Sequence, residues 1–445
     1  MTPPFERRAV LPLAGLYVFR MLGLFMVLPV LSLYGDAYSG ASAALLGIAL
    51  GAYGFSQAIL QIPFGYLSDR FGRKPLITIG LLLFAAGSVV AAVADSVYGL
   101  IAGRFLQGCG AIASVLMAFV ADLTAEENRT KAMALIGASI GVAFSLALII
   151  GPLVTESFGL AGVFWLTAIL AISGLWLLWY LVPAAPERVM PQRLDWGSVF
   201  RDLELWRLNI GIFALHFVLM ATFIAMPRYL ELYGLPREQH WLLYLPVMVL
   251  SFLAMLPFMI LGEKRGKVKQ NFIGAIALLA IVQVLLGWLQ GSVLLGIMML
   301  FGFFMAFNLL EATLPSWVSK VASTEVKGTA TGVYSSWQFA GAFAGGASGG
   351  VVFQAFGFGA VFALCAVMLL VWLLVALFQQ PPAPPVRLAL QVPNGMDAIE
   401  VTRLSALPGV KQLTWVDTES TVLLQVDARH FDNSAISMYR WREAQ

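Results

Sequence analysis

The sequence predicts an all-α polytopic membrane protein: twelve transmembrane helices in two six-helix halves, with a small C-terminal α+β ferredoxin-like cytoplasmic domain. Three observations carry this expectation. The 445 residues are 60% hydrophobic and only 11% charged, against about 25% charged in ordinary soluble domains. Apolar segments of about 20 residues, enough to cross hydrocarbon, recur along the chain. A residue pattern also returns: Pro63-Phe64 followed by Asp69-Arg70-x-Gly72-Arg73 reappears 194 positions on as Pro257-Phe258 followed by Glu263-Lys264-x-Gly266-Lys267. A weaker echo joins Pro29, Leu33-Tyr34-Gly35 to Pro227, Leu232-Tyr233-Gly234. Such a repeat implies parallel halves with a site between them near the midplane.

In chain order, spans 1 to 6 are 9–33, 43–67, 75–94, 97–121, 130–155 and 160–182, forming an N-terminal half, 1–182. A polar linker, 183–207, follows; its last part, 194–206, has helical spacing and is expected to lie along the membrane surface. Spans 7 to 12 are 208–231, 240–262, 271–289, 291–319, 327–354 and 358–379, in a C-terminal half, 208–380. Residues 381–386 are a Pro-rich, stiff linker. Beyond it, 387–445 reads strand 387–392, helix 395–407, strands 410–416 and 421–426, and helix 433–442. That is close to the ferredoxin-like order, with the last strand expected to be absent.

Loops on one side carry nearly all the basic residues, from Arg7 and Arg8 through Arg70, Arg73 and Lys74 to Lys264, Lys320 and Lys327, whereas the other side has only Arg228 and Arg237. The positive-inside rule then places both termini in the cytoplasm of a multi-pass inner (plasma) membrane protein. No cleavable signal is expected at MTPPFERRAV. Cys109 and Cys365 both fall inside apolar spans, so neither a disulfide framework nor a metal site follows. The net charge of +3 says little about partners. No nucleophile–base pair, metal cluster, phosphate loop or basic-aromatic stripe points to an enzyme or a nucleic-acid binder, and no cofactor is expected.

Charge inside hydrocarbon is costly and marks function by default. Arg20 lies in span 1, Arg104 in span 4, His216 in span 7 and Glu311 in span 10; of 24 acidic residues only Glu311 is deep within a span. A carboxyl in low dielectric can load and release a proton; the bland alternative is one kept protonated by a backbone carbonyl. His216 could act alongside it or be a packed neutral ring. Arg104, Gln107, Gly108 and Ala111 share one helical face by their spacing. That arrangement serves either proton coupling or the pinning of neighbouring helices. Arg20 needs an anion, a carbonyl or water. Its neighbours Phe19, Met21, Phe25 and Met26 suit either an adaptable pocket or a lipid-facing surface. Asn308, Gln107, Gln57 and Met26 are the candidates to line a cavity.

Around Gln57–Pro75 the apolar helix ends in Asp69, Arg70, Arg73 and Lys74, with Gly65 and Gly72 allowing close approach and a sharp turn. Asp122 ends span 4 on the same side. Such a charge network can exist in one conformation and break in another, or simply anchor topology. The run Gly65, Leu67, Asp69, Arg70, Gly72, Arg73, Lys74 resembles, without a gap, the loop signature of the major facilitator superfamily. The Arg104–Gly110 motif resembles that family's second motif, and the whole order resembles drug:proton antiporters with an appended cytoplasmic domain. Gly137, Gly141 and Gly151-Pro152 match the antiporter signature in part; Thr155 and Glu156 stand where that branch has glycines.

The resemblance implies alternating access driven by a proton gradient. Its substrate is a small amphipathic or drug-like molecule, its setting the lipid bilayer, and the positive end of span 11 near Lys327-Gly328 faces Asp69. Uptake by symport or facilitated diffusion, and a non-transporting membrane sensor signalling through its tail, are the competing readings. The tail lacks a CxxC; either an unidentified ligand or partner binds it or it is a passive appendage.

Overall fold

A computed structural model describes residues 4–124, 126–183, 196–289, 291–322 and 326–381 of the helical part. In the C-terminal part it describes 386–391, 403–404, 407, 410–416, 421–426, 431–437 and 440–443. Residues 184–195 of the expected linker 183–207, the core of the linker 381–386 and most of the helix expected at 395–407 lie outside the described residues. The chain divides into two compact units, Met1–Gln379 and Gln380–Gln445.

The described residues of the first unit are mostly helical. Ten helices among the described residues are long and apolar enough to cross a membrane. The first span is broken: α1, Pro4–Phe25, gives way to α2, Leu28–Tyr34, because Pro29 at the start of α2 has no N–H to offer Phe25. Next come α3, Ala43–Phe71, and α4, Arg73–Ala92. The fourth span, expected as one helix, is also broken, into α5, Val97–Cys109, and α6, Ala113–Asp122. A side chain at Gly110 would meet the Gly80 carbonyl at 2.3 Å, so the chain passes too close to α4 for any larger residue.

Helix α7 runs over Glu126–Tyr180 and α13 over Lys327–Leu377; each joins two helices across a kink, at Gly159 (φ 66°) and Gly357 (φ 75°). The expected surface helix at 194–206 is corrected: α8 is only Trp196–Arg201, and α9 begins at Leu203. Asp202 causes this, its carboxylate accepting from Glu204 N at 2.8 Å and Leu205 N at 3.2 Å as an N-cap. Helices α9, Leu203–Leu232, α10, His240–Lys264, α11, Val268–Trp288, and α12, Val293–Val321, complete the set.

Helix α13 is wedged between α9 and α3 along two stripes of glycine. On one, side chains at Gly341 and Gly345 would meet the carbonyls of Phe213 and Phe217 at 2.2 and 2.1 Å. On the other, Gly47 would meet Gly346 O at 2.3 Å and Gly54 would meet Phe339 O at 2.6 Å. Hydrocarbon supplies no hydrophobic drive between helices, so association here depends on backbones approaching closely. Since α3 is in the first half and α13 in the second, the second stripe joins the halves.

The C-terminal unit is a four-stranded antiparallel sheet in the order β2-β3-β1-β4. Its strands are β1, Val386–Gln391, β2, Val410–Val416, β3, Thr421–Val426, and β4, Arg440–Glu443. Leu388, Leu390, Val422, Leu424 and Val426 alternate onto one face and pack with Leu404 and Ile436. The expected helix at 433–442 is corrected to a 3-10 turn, Asn433–Ile436, followed by the strand expected to be missing. Pairing with the edge of β1, from Leu388↔Glu443 to Gln391↔Arg440, satisfies backbone groups that a helix would have left open.

The glycine stripes are testable. Gly345→Ala should destabilise the protein by about 1–3 kcal/mol, as overpacking does, read as a lower melting temperature in detergent. Gly137→Ala, where nothing lies within 4 Å of an added methyl, should leave it unchanged or raise it.

Candidate functional site

At the end of α3, Gly72 adopts φ 92°, and this single residue links α3 to α4. The turn brings Arg73 back over the last turn of α3. Its guanidinium meets Asp69 at 2.5 Å, Asp122 at the end of α6 at 2.9 Å, and the Ser68 hydroxyl at 2.5 Å. Ser68 in turn donates to Gly65 O at 2.7 Å. Arg73 and the Asp122 carboxylate are buried, whereas Asp69 is 28% exposed. Arg73 makes this network with Asp69 and Asp122; Arg70 lies over the Phe71 ring at 5.5 Å. Lys74 turns away, donating to Val182 O at 2.6 Å with its ammonium 5.5 Å from the Trp179 ring. Ser68 escaped the sequence reading; its position one residue before Asp69 was the available signal.

Deep in the first half, Arg20 and Arg104 converge on Tyr53. Arg20 Nη2 donates to the Tyr53 hydroxyl at 2.9 Å and reaches Gly110 O at 3.4 Å. Arg104 lies 5.2 Å from the centre of the Tyr53 ring and donates to Gln107 Oε1 at 2.8 Å and Ala49 O at 3.4 Å. Gln107 donates on to Ser88 at 2.8 Å. Gln57 donates to Gln61 at 2.7 Å, one turn along the buried side of α3. The expected face running from Arg104 to Ala111 is interrupted, because α5 ends at Cys109. Met21, Phe25 and Met26 are buried, Met26 against α7 at Gly151, so this stripe of α1 is packed interior rather than lipid-facing.

In the second half, three helices meet at one polar cluster. Gln338 of α13 places its amide nitrogen 2.9 Å from His216 Nε2 of α9 and donates to Glu311 Oε1 of α12 at 3.3 Å. His216 and Glu311 are 3.9 Å apart. The Glu311 side chain is 31% exposed and that of His216 only 7%, although the Glu311 Oε2 atom itself is buried. Glu311 Oε2, Asn308 Nδ2 and the Tyr334 hydroxyl have no hydrogen-bond partner among the described residues. Gln338 was not singled out from sequence, although it is a polar residue in the middle of an apolar span.

Near the start of α3, at the opposite end of that helix from the Arg73 turn, Arg228 of α9 grips Asp36 at 2.8 and 2.9 Å and donates to Ser32 O at 2.5 Å. Arg237 donates to Leu33 O at 3.4 Å and sits 4.8 Å from the Tyr34 ring centre. Ala44 N donates to Gln354 at 3.0 Å. The two arginines that stand apart in the sequence as outer-loop cations are the ones that tie the halves together there. No group of His, Cys, Asp and Glu suited to a metal occurs among the described residues.

This arrangement fits what the chain is similar to. The Major Facilitator Superfamily model matches residues 13–346. The chain is 43% identical over 436 residues to the inner membrane transport protein YajR of Escherichia coli, covering 96% of this chain and 95% of that one. It is 37% identical to an uncharacterised transporter of Buchnera aphidicola, over 76% of this chain and 89% of the relative. Multidrug resistance protein MdtL of Shigella dysenteriae is 30% identical over 45% of this chain and 53% of its own. Among solved structures, the human organic anion transporter MFSD10 (TETRAN) aligns with a TM-score of 0.61 at 20% identity, covering 84% of this chain and all of that one. A mutant of the nucleoside transporter NupG aligns with a TM-score of 0.67 at 14% identity, over 83% and 99%. The chain belongs to the major facilitator superfamily and is a multi-pass membrane transporter, not an enzyme.

Proposed function

We propose that this transporter is a proton-coupled antiporter that exports small amphipathic or drug-like molecules by alternating access. The observation that carries the reading is Glu311: an acid in mid-span, a third exposed, bonded to Gln338 and near His216, with no arginine or lysine paired to it among the described residues. Such a carboxyl can take a proton in one orientation of the halves and give it up in the other. His216 adjoins it as a second acceptor; Arg20 and Arg104 keep the facing half positive. The name of the MdtL relative favours drug-like cargo.

Helices α7 and α13 are each long enough for two crossings of about 20 residues, divided at Gly159 and Gly357. The ten candidate spans then read as twelve, in two six-helix halves. The basic residues place both termini in the cytoplasm, and the printed name of the YajR relative favours the inner membrane. The tail's strand order supports a ferredoxin-like module with a regulatory or stabilising role. Asp69, the exposed member of the Arg73 network, would meet the positive N-terminus of α13 when the cytoplasmic side closes. The Arg228–Asp36 pair holds the outer side in the opposite phase.

Three outcomes test this. Sealed vesicles holding the purified protein, given a pH gradient and a panel of fluorescent amphipathic cations and anions, should show substrate-dependent proton movement that Glu311→Gln abolishes. Flux surviving that substitution would remove Glu311 from the coupling route. Asp122→Ala leaves a buried guanidinium short of a carboxylate and should cost roughly 3–5 kcal/mol of stability; Asp69→Asn should lower transport without a comparable loss, measured by thermal melting beside flux. Asp36→Asn removes a half-exposed pair worth about 0–1 kcal/mol. It should therefore raise labelling of a cysteine at Ser32 from outside by about fivefold at most.

A further inference from the structure

Among the described residues, no carboxylate is paired with the two buried arginines of the first half. Arg20 and Arg104 are both 1% exposed. Arg20 uses Nη2 on Tyr53 and Gly110, while its Nε and Nη1 have no hydrogen-bond partner among the described residues. Arg104 is spent on neutral acceptors, Ala49 O and Gln107, and on the Tyr53 ring. The arginine ion pairs described lie elsewhere, with Asp69, Asp122, Glu204, Asp36, Glu231 and Glu238. A buried guanidinium lacking both a carboxylate and its full set of acceptors is an unfinished interaction.

The backbone adds to the positive character. Helix α6 starts at Ala113 in the middle of a span, ten residues long and with no side-chain cap. The first N–H groups of a helix have no partner within it, and the positive end of its dipole favours an anion. The break is where Arg20 reaches, through Gly110 O, and where Tyr17 donates to Ala113 O at 3.1 Å. Broken transmembrane helices elsewhere aim such N-termini at anionic groups. Tyr53, which both arginines share, lies with its ring centre 6.1 Å from that of Phe339 on α13. The site therefore sits behind the contact between the halves, and their separation uncovers it.

We infer that Arg20, with Arg104 and the N-terminus of α6 beside it, binds a carboxylate-type anion: the head of an amphipathic organic anion whose apolar body lies between the halves. Arg20 supplies the direct contact, because its Nε and Nη1 have no partner among the described residues and either can give a carboxylate one charge-assisted hydrogen bond. Arg104, held by Gln107 and Ala49, contributes charge without moving. This names a substrate class for the export reading and rests on it for the anion's fate, though not for its binding.

The test is equilibrium binding to the full chain in nanodiscs of three probes that share one ring system: 1-naphthoate, 1-naphthamide and 1-naphthylmethylammonium. Naphthoate should bind about tenfold tighter than the amide or more, the worth of one charge-assisted hydrogen bond. Arg20→Gln should remove that preference, with an unchanged melting temperature in the nanodisc reporting that the variant is folded. Arg20→Lys, a cation without the fork, should fall between. Acetate, having the head alone, should displace naphthoate only at much higher concentration; equal potency would overturn the apolar half of the proposal. Equal affinity for naphthoate and amide, no saturable naphthoate binding, or a preference unchanged in Arg20→Gln would each overturn the site. The two readings fail separately. Absent proton flux with Arg20-dependent naphthoate binding removes export and keeps the anion site; lost anion preference with intact flux does the reverse.

Discussion

Charge that hydrocarbon cannot solvate is the constraint on which the rest of this structure depends. Among the described mid-span residues it falls unequally: Arg20 and Arg104 in the first half, Glu311 in the second, each hydrogen-bonded to neutral partners. An ion left unpaired in such a setting costs several kcal/mol even after local relaxation. Each is therefore wrapped in neutral dipoles: Tyr53, Gln107 and backbone carbonyls around the arginines, Gln338 and His216 around Glu311. Neutral dipoles reduce the cost without cancelling the charge. That is what a protein needs if the remaining charge is to be met by something that comes and goes, a proton on one side and a ligand on the other.

The helix packing serves the same end. A transporter has to hold its halves together without gluing them. Where α3 meets α13, glycine backbones touch at Gly47, Gly346 and Gly350. Contact of this kind rests on close packing and weak polar contacts rather than on a large hydrophobic term. The described cross-half hydrogen bonds to Asp36, Ser32, Leu33 and Gln354 lie at one end of the helices, where Arg228 holds a largely exposed Asp36 and water can compete. The buried Arg73 network, by contrast, is contained within the first half. Buried electrostatics brace the first half; more exposed electrostatics tie it to the second.

Much of this was legible in the sequence, and the misses share a cause. Mid-span polar residues stand out against apolar runs, so Arg20, Arg104, His216 and Glu311 could be named, as could the loop from Gly65 to Lys74. What composition does not reveal is which partner each will choose. Arg73 rather than Arg70 binds Asp69 because Gly72 turns the chain through a positive φ, which fixes direction and not merely proximity. The break at 110–112 was hidden because its cause, the approach of Gly110 to Gly80, is a tertiary contact. The last strand of the tail read as helix because only the open edge of β1 makes Arg440–Glu443 extend. Gln338 went unremarked because its role exists only once α9, α12 and α13 converge.

The claim at the centre of this account is that Glu311 is the group that gains and loses the coupled proton. Infrared difference spectra between low and high pH on the lipid-embedded protein read carboxyl protonation directly, without needing a substrate. The account predicts a protonated-carboxyl band in the wild-type difference spectrum that is missing from Glu311→Gln. A band of equal size in both proteins, or none in either, would contradict it.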